Sequence, residues 1–200
     1  EKNYPDLAQY ISHTPSPMVM IGKRIKEKDP KARVIFIGPC VAKKKEFQLG
    51  KTMGAIDCSL TFEELAALFE SKDIDVEKLE AAQLDEASGF GRNFAHSGGV
   101  AAAVAQGMKE RGITEEQFKL HSVACSGLAQ CKVELMKFAK GIGGVNFLEG
   151  MACEGGCVQG PAVLIRSPRN QADVEKHAKE AGERTILGAV EAEEQEPVKK

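Results

Sequence analysis

The sequence alternates repeatedly between strand signals, glycine-containing turns and helix signals, and this order limits the possible folds. Apolar runs with many β-branched residues predict strands at residues 33–37, 121–125 and 145–148. The stretches between these runs carry apolar residues at helical spacing. This order predicts an α/β protein with a mainly parallel sheet flanked by helices. The first run is continuously apolar and is therefore predicted to be a buried strand.

The sequence also predicts where helices begin. Pro17 after Ser16 predicts a helix that ends at Lys28, before Asp29-Pro30. Thr61 and Glu64 have the spacing of a capping box. A further strand at residues 94–96 is predicted to run through a Ser-Gly-Gly turn into an alanine-rich helix. Residues 73–92 are expected to be irregular or weakly helical.

Composition limits the class of protein. The chain has 200 residues, a net charge of −2 and 42% hydrophobic residues, enough for one domain or two small lobes. No basic stripe predicts nucleic-acid binding, and the apolar runs are too short to span a membrane. With no signal peptide visible, we expect a cytoplasmic protein.

The start at Glu1, without Met, predicts truncation at the N-terminus inside a larger protein. Residues 1–188 are predicted to form the domain, and 189–200 a charged, disordered tail.

The cysteines carry the most specific chemical signal. The segment MACEGGC, residues 151–157, places two thiols four residues apart with two glycines between them, and Cys40 follows Gly38-Pro39 after a predicted strand. Functional sites in parallel sheets lie at the carboxyl ends of the strands. Because Cys40, Ser97 and Cys153 all follow predicted strands, they could share one edge of the sheet. Thiolates ligate [4Fe–4S] clusters. Buried thiols and a structural zinc site remain alternatives, because spacing favours iron–sulfur only weakly.

Two longer motifs carry a resemblance to a known family. GPCVAKKKE, residues 38–46, and EGMACEGGC, residues 149–157, resemble the second and third signatures of the iron-only ([FeFe]) hydrogenases, M-P-C-x-x-K-x-x-E and E-x-M-x-C-x-x-x-C. The likeness covers roughly residues 1–165. It implies the C-terminal part of the H-cluster domain of the large subunit.

The resemblance also implies roles for individual residues. Cys40, Cys153 and Cys157 would ligate a [4Fe–4S] cube, and Cys157 would bridge it to a two-iron subsite carrying CO and CN⁻. Lys43 would hold a cyanide of that subsite, and Met151 would pack near it. Glu46 and Glu149 would take supporting positions.

The implied reaction is reversible H₂ oxidation and proton reduction. Its expected partners are H₂ and protons, a ferredoxin-like electron carrier or fused cluster domain, and maturation proteins. The family's first signature, T-S-C-x-P, is missing, and with it the fourth cube ligand. The chain alone is therefore expected to be inactive, and a metal-free chain is compatible with this expectation.

Other departures from the family pattern leave alternatives open. Gly38 replaces the usual Met, and Val158-Gln159-Gly160-Pro161 replaces a glycine-rich stretch. These departures resemble the divergent, sensory branch. A hydrogen- or redox-sensing module and a [4Fe–4S] protein without a two-iron subsite are the alternative functions.

The remaining thiols and His96 receive structural predictions. Cys125 and Cys131 are expected to be buried thiols, and Cys58 to lie in the core. His96 is expected to be a hydrogen-bonded structural residue. The Ser97-Gly98-Gly99 turn is expected to pack tightly against a strand, with anion binding as the weaker alternative.

Overall fold

The computed structural model describes residues 3–82 and 84–195, which form two compact units. Of the described residues, the first unit contains 3–37 and 41–60, and the second contains 38–40 and those from 61 to 195. The helices are α1 (Pro17–Lys28), α2 (Lys43–Glu46), α3 (Phe62–Glu70), α4 (Gly89–Arg92), α5 (Gly99–Glu110), α6 (Leu128–Ala139), α7 (Arg169–Lys179) and α8 (Ile186–Gln195). The strands are β1 (Ile35–Ile37), β2 (Cys58–Leu60), β3 (Ser122–Ser126) and β4 (Phe147–Met151).

The first unit is built on α1 and the parallel pair β1–β2. Met18 and Val19 of α1 pack with Val34, Ala55 and Ile56 in a small apolar core. Helix α1 begins at Pro17 and ends before Asp29, as predicted. Gly22 allows close approach here, because a Cβ on it would lie 2.5 Å from the carbonyl oxygen of Ala55.

The prediction of a buried first strand is wrong in extent and in burial. Strand β1 is three residues long, and Ile35 and Ile37 are exposed. Its partner β2 was not predicted, since Cys58-Ser59-Leu60 is too short to give a periodic signal. Cys58 is half-buried in this strand and does not lie in the core.

The second unit contains the second parallel pair, β3–β4, with α5 and α6 packed against it. The capping box of Thr61 and Glu64 at the start of α3 is confirmed. Parallel pairing and flanking helices confirm the α/β prediction, although the strands form two separate two-stranded sheets within the described residues.

Two local predictions for the second unit are wrong. Residues 93–95 form a 3₁₀ turn where a strand was predicted, and only His96 makes an isolated bridge, to Gly156. The predicted disordered tail overlaps α8, which is helical through Gln195. Glu110 accepts hydrogen bonds from the N–H groups of Ile186 and Leu187 in the first turn of that helix. Residues 196–200 lie outside the described residues.

None of the helices in the described part of the chain has both the length and the apolar character needed to cross a bilayer.

Candidate functional site: two thiol-bearing loops

The cysteine loop, residues 152–157, leaves the end of β4 and folds back tightly. Gly155 and Gly156 have φ values of +80° and +92°, a region that favours glycine. The N–H of Gly156 donates to the carbonyl oxygen of Cys153 at 3.1 Å. A Cβ on Gly156 would lie 2.5 Å from the Cα of His96, so no larger residue fits. The two glycines therefore set the conformation of the backbone between the two thiols.

The proline turn, Gly38–Cys40, lies against the segment that follows Cys157. The N–H of Ala162 donates to the carbonyl oxygen of Pro39 at 3.2 Å. A Cβ on Gly160 would lie 2.5 Å from that same oxygen. The fold thus brings the turn that carries Cys40 onto the chain just beyond Cys157, although more than a hundred residues separate the two in sequence.

The three predicted ligand thiols are half-buried, and none of the six cysteines, all within the described residues, forms a disulfide. In residues 3–82 and 84–195, no three His, Cys, Asp or Glu side chains converge as they would around a single ion. An iron–sulfur cube does not require such convergence, because each thiolate binds a different iron. Three thiols lie on two linked loops, with glycine backbone between two of them, and thiols are the type of donor that ligates iron–sulfur clusters.

Glu149 joins β4 to the start of α5. The residue is only 6% exposed. One carboxylate oxygen accepts from the N–H of Gly98 at 2.9 Å, and the other accepts from the N–H of Ala101 at 2.8 Å. A carboxylate at a helix N-terminus satisfies free N–H groups and is favoured by the helix dipole. Glu149 therefore has a definite contact, where the sequence predicted only a supporting position.

The same contact decides between the two predictions for the Ser97-Gly98-Gly99 turn. Two of the N–H groups that an external anion would use are already bound by Glu149. The turn is also tightly packed, since a Cβ on Gly99 would overlap the carbonyl of Asn93. The prediction of tight packing is confirmed, but the closest neighbour is the 3₁₀ turn at Asn93 and not a strand. Strand β3 lies at an ordinary distance, since a Cβ on Gly98 would be 3.7 Å from the Cβ of Ala124. The prediction for His96 is also confirmed, because its Nε2 lies 3.0 Å from Oδ1 of Asn93.

Lys43 and Glu46, the charged pair of the first motif, lie on α2 in the first unit. The Nζ of Lys43 is 2.5 Å from Oε2 of Glu46, and Ser16 Oγ donates to the other carboxylate oxygen. Partial burial raises the pKa of Glu46, but the hydrogen bonds from Lys43 and Ser16 outweigh it and hold that pKa below its ordinary value. Glu46 is thus a carboxylate that restrains the ammonium group of Lys43.

Met151 and the two remaining thiols of the second unit lie at the base of the cysteine loop. Met151 is the last residue of β4 and is half-buried, and its carbonyl oxygen accepts from the N–H of Gly127 at 2.8 Å. Cys125 is fully buried, which raises the pKa of its thiol to about 11. Cys131 is half-buried and lies 3.7 Å from the carbonyl oxygen of Met151.

Two contacts to the cysteine loop were missed by sequence reasoning. One is the bridge between His96 and Gly156. The other is a hydrogen bond of 2.7 Å from the N–H of Gly155 to Oγ of Ser126. The only signal for the second was a Ser-Gly pair at the end of a predicted strand, and such a pair is common at strand ends.

Comparison with known proteins identifies the family. The family model described as the C-terminal domain of the iron-only hydrogenase large subunit matches residues 1–161, and the chain belongs to this family. Iron hydrogenase 1 of Clostridium pasteurianum is 30% identical over 88% of the chain. The periplasmic [Fe] hydrogenase large subunit of Nitratidesulfovibrio vulgaris is 28% identical over 80% of it. The chain spans only 37% and 47% of the lengths of these two relatives.

Solved structures show the same fold. An [FeFe]-hydrogenase described during stepwise assembly of its H-cluster aligns with 98% of the chain and 69% of its own, with a TM-score of 0.71 and 20% identity. The apo form of an [FeFe]-hydrogenase from Chlamydomonas reinhardtii aligns with 99% of the chain and 69% of its own, with a TM-score of 0.67 and 19% identity.

Proposed function

We propose that Cys40, Cys153 and Cys157 supply three thiolate ligands of a [4Fe–4S] cluster within an [FeFe]-type H-cluster. The observation that carries this proposal is the hydrogen bond from Ala162 to Pro39, which ties the proline turn to the chain beyond Cys157. Family membership supports it, because the two signatures that carry these thiols lie within the matched residues. The fourth ligand would come from a segment outside this chain.

The residues around the thiols would hold the two-iron subsite in place. Cys157 would bridge the cube to that subsite, and the thioether of Met151 at the end of β4 would offer it a soft, apolar contact. When bound, the H-cluster supplies the chemistry that interconverts H₂ with protons and electrons.

Lys43 would contribute a positive charge and a hydrogen-bond donor toward a cyanide ligand of the two-iron subsite. Glu46 restrains the Lys43 ammonium through the 2.5 Å contact, so it would limit the positions that the donor can take. The carboxylate would thus act through Lys43 rather than on the cluster.

We propose that the whole protein is a hydrogenase that acts on H₂ and protons, receives its cluster from maturation proteins and exchanges electrons with a ferredoxin-like carrier or a fused cluster domain. This chain alone, without the fourth thiolate, is expected to be inactive. The cytoplasmic location and the sensing alternative both stay predictions.

Infrared spectroscopy tests this proposal. The chain, joined to the segment that carries the missing first signature, would be expressed with the hydrogenase maturation proteins. Bands from iron-bound CO and CN⁻ are expected for the unmodified protein and for Cys131→Ser, which removes a half-buried thiol that we do not assign as a ligand. Cys153→Ser should abolish these bands.

Two results would contradict the proposal. A folded protein that contains a cube but shows no CO or CN⁻ bands would be an ordinary iron–sulfur protein. Unchanged bands in Cys153→Ser would show that the cysteine loop does not hold the cluster. If the bands appear, the rate of H₂ turnover separates a hydrogenase from a sensor.

A further inference from the structure

We propose that Ser126 is a positioning residue for the cysteine loop. This inference rests on the proposed function, since it assigns Ser126 to the loop that carries Cys153 and Cys157. Ser126 is the last residue of β3 and pairs in register with Met151, the residue that immediately precedes the loop. Its hydroxyl oxygen accepts from the N–H of Gly155 at 2.7 Å.

The residue after Ser126 fits the same role. Gly127 has a φ of +87°, and a Cβ on it would lie 2.7 Å from Cγ of Glu154. The N–H of Gly127 donates to the carbonyl oxygen of Met151 at 2.8 Å. The Ser126-Gly127 turn therefore contacts the loop at its start, at Glu154 and at Gly155.

The Ser126-Gly127 turn contacts the cysteine loop, and His96 makes a second, separate contact with it. The bridge between His96 and Gly156 lies one residue beyond the contact of Ser126 with Gly155. Glu149 fixes the chain next to His96 by accepting from the N–H of Gly98. The hydrogen bond to the Ser126 hydroxyl restrains the backbone between the two thiols. A substitution of Ser126 can remove this hydroxyl without changing the backbone.

Loss of this bond should free the Gly155 peptide and loosen the geometry of the two thiolates. Groups that orient metal ligands by hydrogen bonding affect the stability and the electronic properties of the site. We expect Ser126→Ala to release cluster iron to a chelator roughly 3- to 10-fold faster, the factor that corresponds to one ordinary hydrogen bond. Ser126→Thr keeps the hydroxyl and should restore the slower rate.

The experiment combines two measurements on the same variants. In the metal-free chain, nuclear magnetic resonance would follow hydrogen exchange of the Gly155 amide. In the cluster-loaded protein, joined to the missing signature segment, iron release and the electron paramagnetic resonance spectrum of the reduced cluster would be recorded. Ser71→Ala is the matched control, because the Ser71 hydroxyl bonds the carbonyl of Leu68 on α3 and does not contact the loop.

Faster exchange at Gly155, faster iron release and a changed spectrum in Ser126→Ala, with recovery in Ser126→Thr, would support the inference. Equal behaviour of Ser126→Ala and Ser71→Ala in both measurements would overturn it. Failure of the unmodified protein to take up a cluster would refute the proposed function. The exchange measurement would then still decide whether Ser126 holds the loop.

Discussion

Glu149 is a buried carboxylate that precedes the cysteine loop by a few residues. It accepts hydrogen bonds from the N–H groups of Gly98 and Ala101, and the residue is 6% exposed. Two backbone N–H groups would lose their acceptor if it were removed, and water has little access to replace it. A buried donor left without a partner costs more than the bond itself contributes.

Substitutions of Glu149 test how much this helix cap contributes to the free energy of unfolding. Glu149→Ala is expected to lower the free energy of unfolding by about 1–3 kcal/mol. Glu149→Gln should cost less, because the amide oxygen still accepts one hydrogen bond. Urea unfolding followed by circular dichroism would provide the values.

The matched control is Glu110→Ala, which removes a similar cap from α8. Glu110 accepts from the N–H groups of Ile186 and Leu187, and it is less buried than Glu149. Its removal should cost less than that of Glu149. An equal or greater loss for Glu110→Ala would show that burial of Glu149 is not what makes its cap important.

At the scale of elements, helix positions followed from local signals, whereas pairing of strands did not. The Pro17 start and the Thr61 capping box are set by residues within one turn of each other, so sequence alone located α1 and α3. Strands β1 and β2 are three residues each, and their burial depends on what packs against them. Strand length and exposure therefore differed from prediction.

Glycines inside helices give a test at this scale, because two of them differ in their surroundings. A Cβ on Gly22 of α1 would lie 2.5 Å from the Ala55 carbonyl oxygen, which cannot move without the backbone. We expect Gly22→Ala to destabilise the protein by about 1–3 kcal/mol through overpacking, despite the better helix propensity of alanine.

Gly107 of α5 supplies the control. A Cβ on Gly107 would meet only Cδ1 of Ile186, at an ordinary distance of 3.9 Å. Gly107→Ala should therefore stabilise the protein by up to about 1 kcal/mol, the gain in helix propensity. Thermal and urea unfolding of both variants would check the opposite signs. A stabilising Gly22→Ala would mean that α1 and Ala55 do not pack so closely.

At the scale of the whole molecule, carboxyl groups in both units have lowered pKa values, and five of them lie in the described part of the chain. Hydrogen bonds from backbone N–H groups or from lysine, arginine and hydroxyl groups lower them, and at Glu46 they do so against burial. The five are Glu46, Asp57, Asp85, Glu110 and Glu183. For Asp57, hydrogen bonds from Lys26 and the N–H of Val34 bring the pKa to about 2.

These shifts predict a loss of stability in acid. A carboxyl group whose folded pKa is depressed stabilises the fold above its unfolded pKa, near 4 for Asp and Glu, and loses that effect as the pH falls through the folded value. The urea concentration at the unfolding midpoint should therefore decrease as the pH is lowered from about 4.5 to about 2. Asp57→Asn should unfold more easily at pH 6 and show a smaller further loss toward pH 2.

Glu116→Gln, in an exposed loop, is the control for this titration and should follow the unmodified protein. A slope for Asp57→Asn identical to that of the unmodified protein would contradict the role of Asp57 in acid stability.

The family and the α/β class could be predicted from the sequence, because the two motifs at residues 38–46 and 149–157 are each continuous in the chain and helix and strand signals act over short distances. The assignment of Cys40, Cys153 and Cys157 as cluster ligands stays a prediction. Tertiary structure alone decided that Pro39 meets Ala162, that Glu149 caps α5 and that Ser126 holds Gly155. Each of these contacts joins residues that lie from 29 to more than a hundred positions apart. Whether such residues come into contact depends on how strands pair and helices pack, and this cannot be predicted from a local sequence pattern.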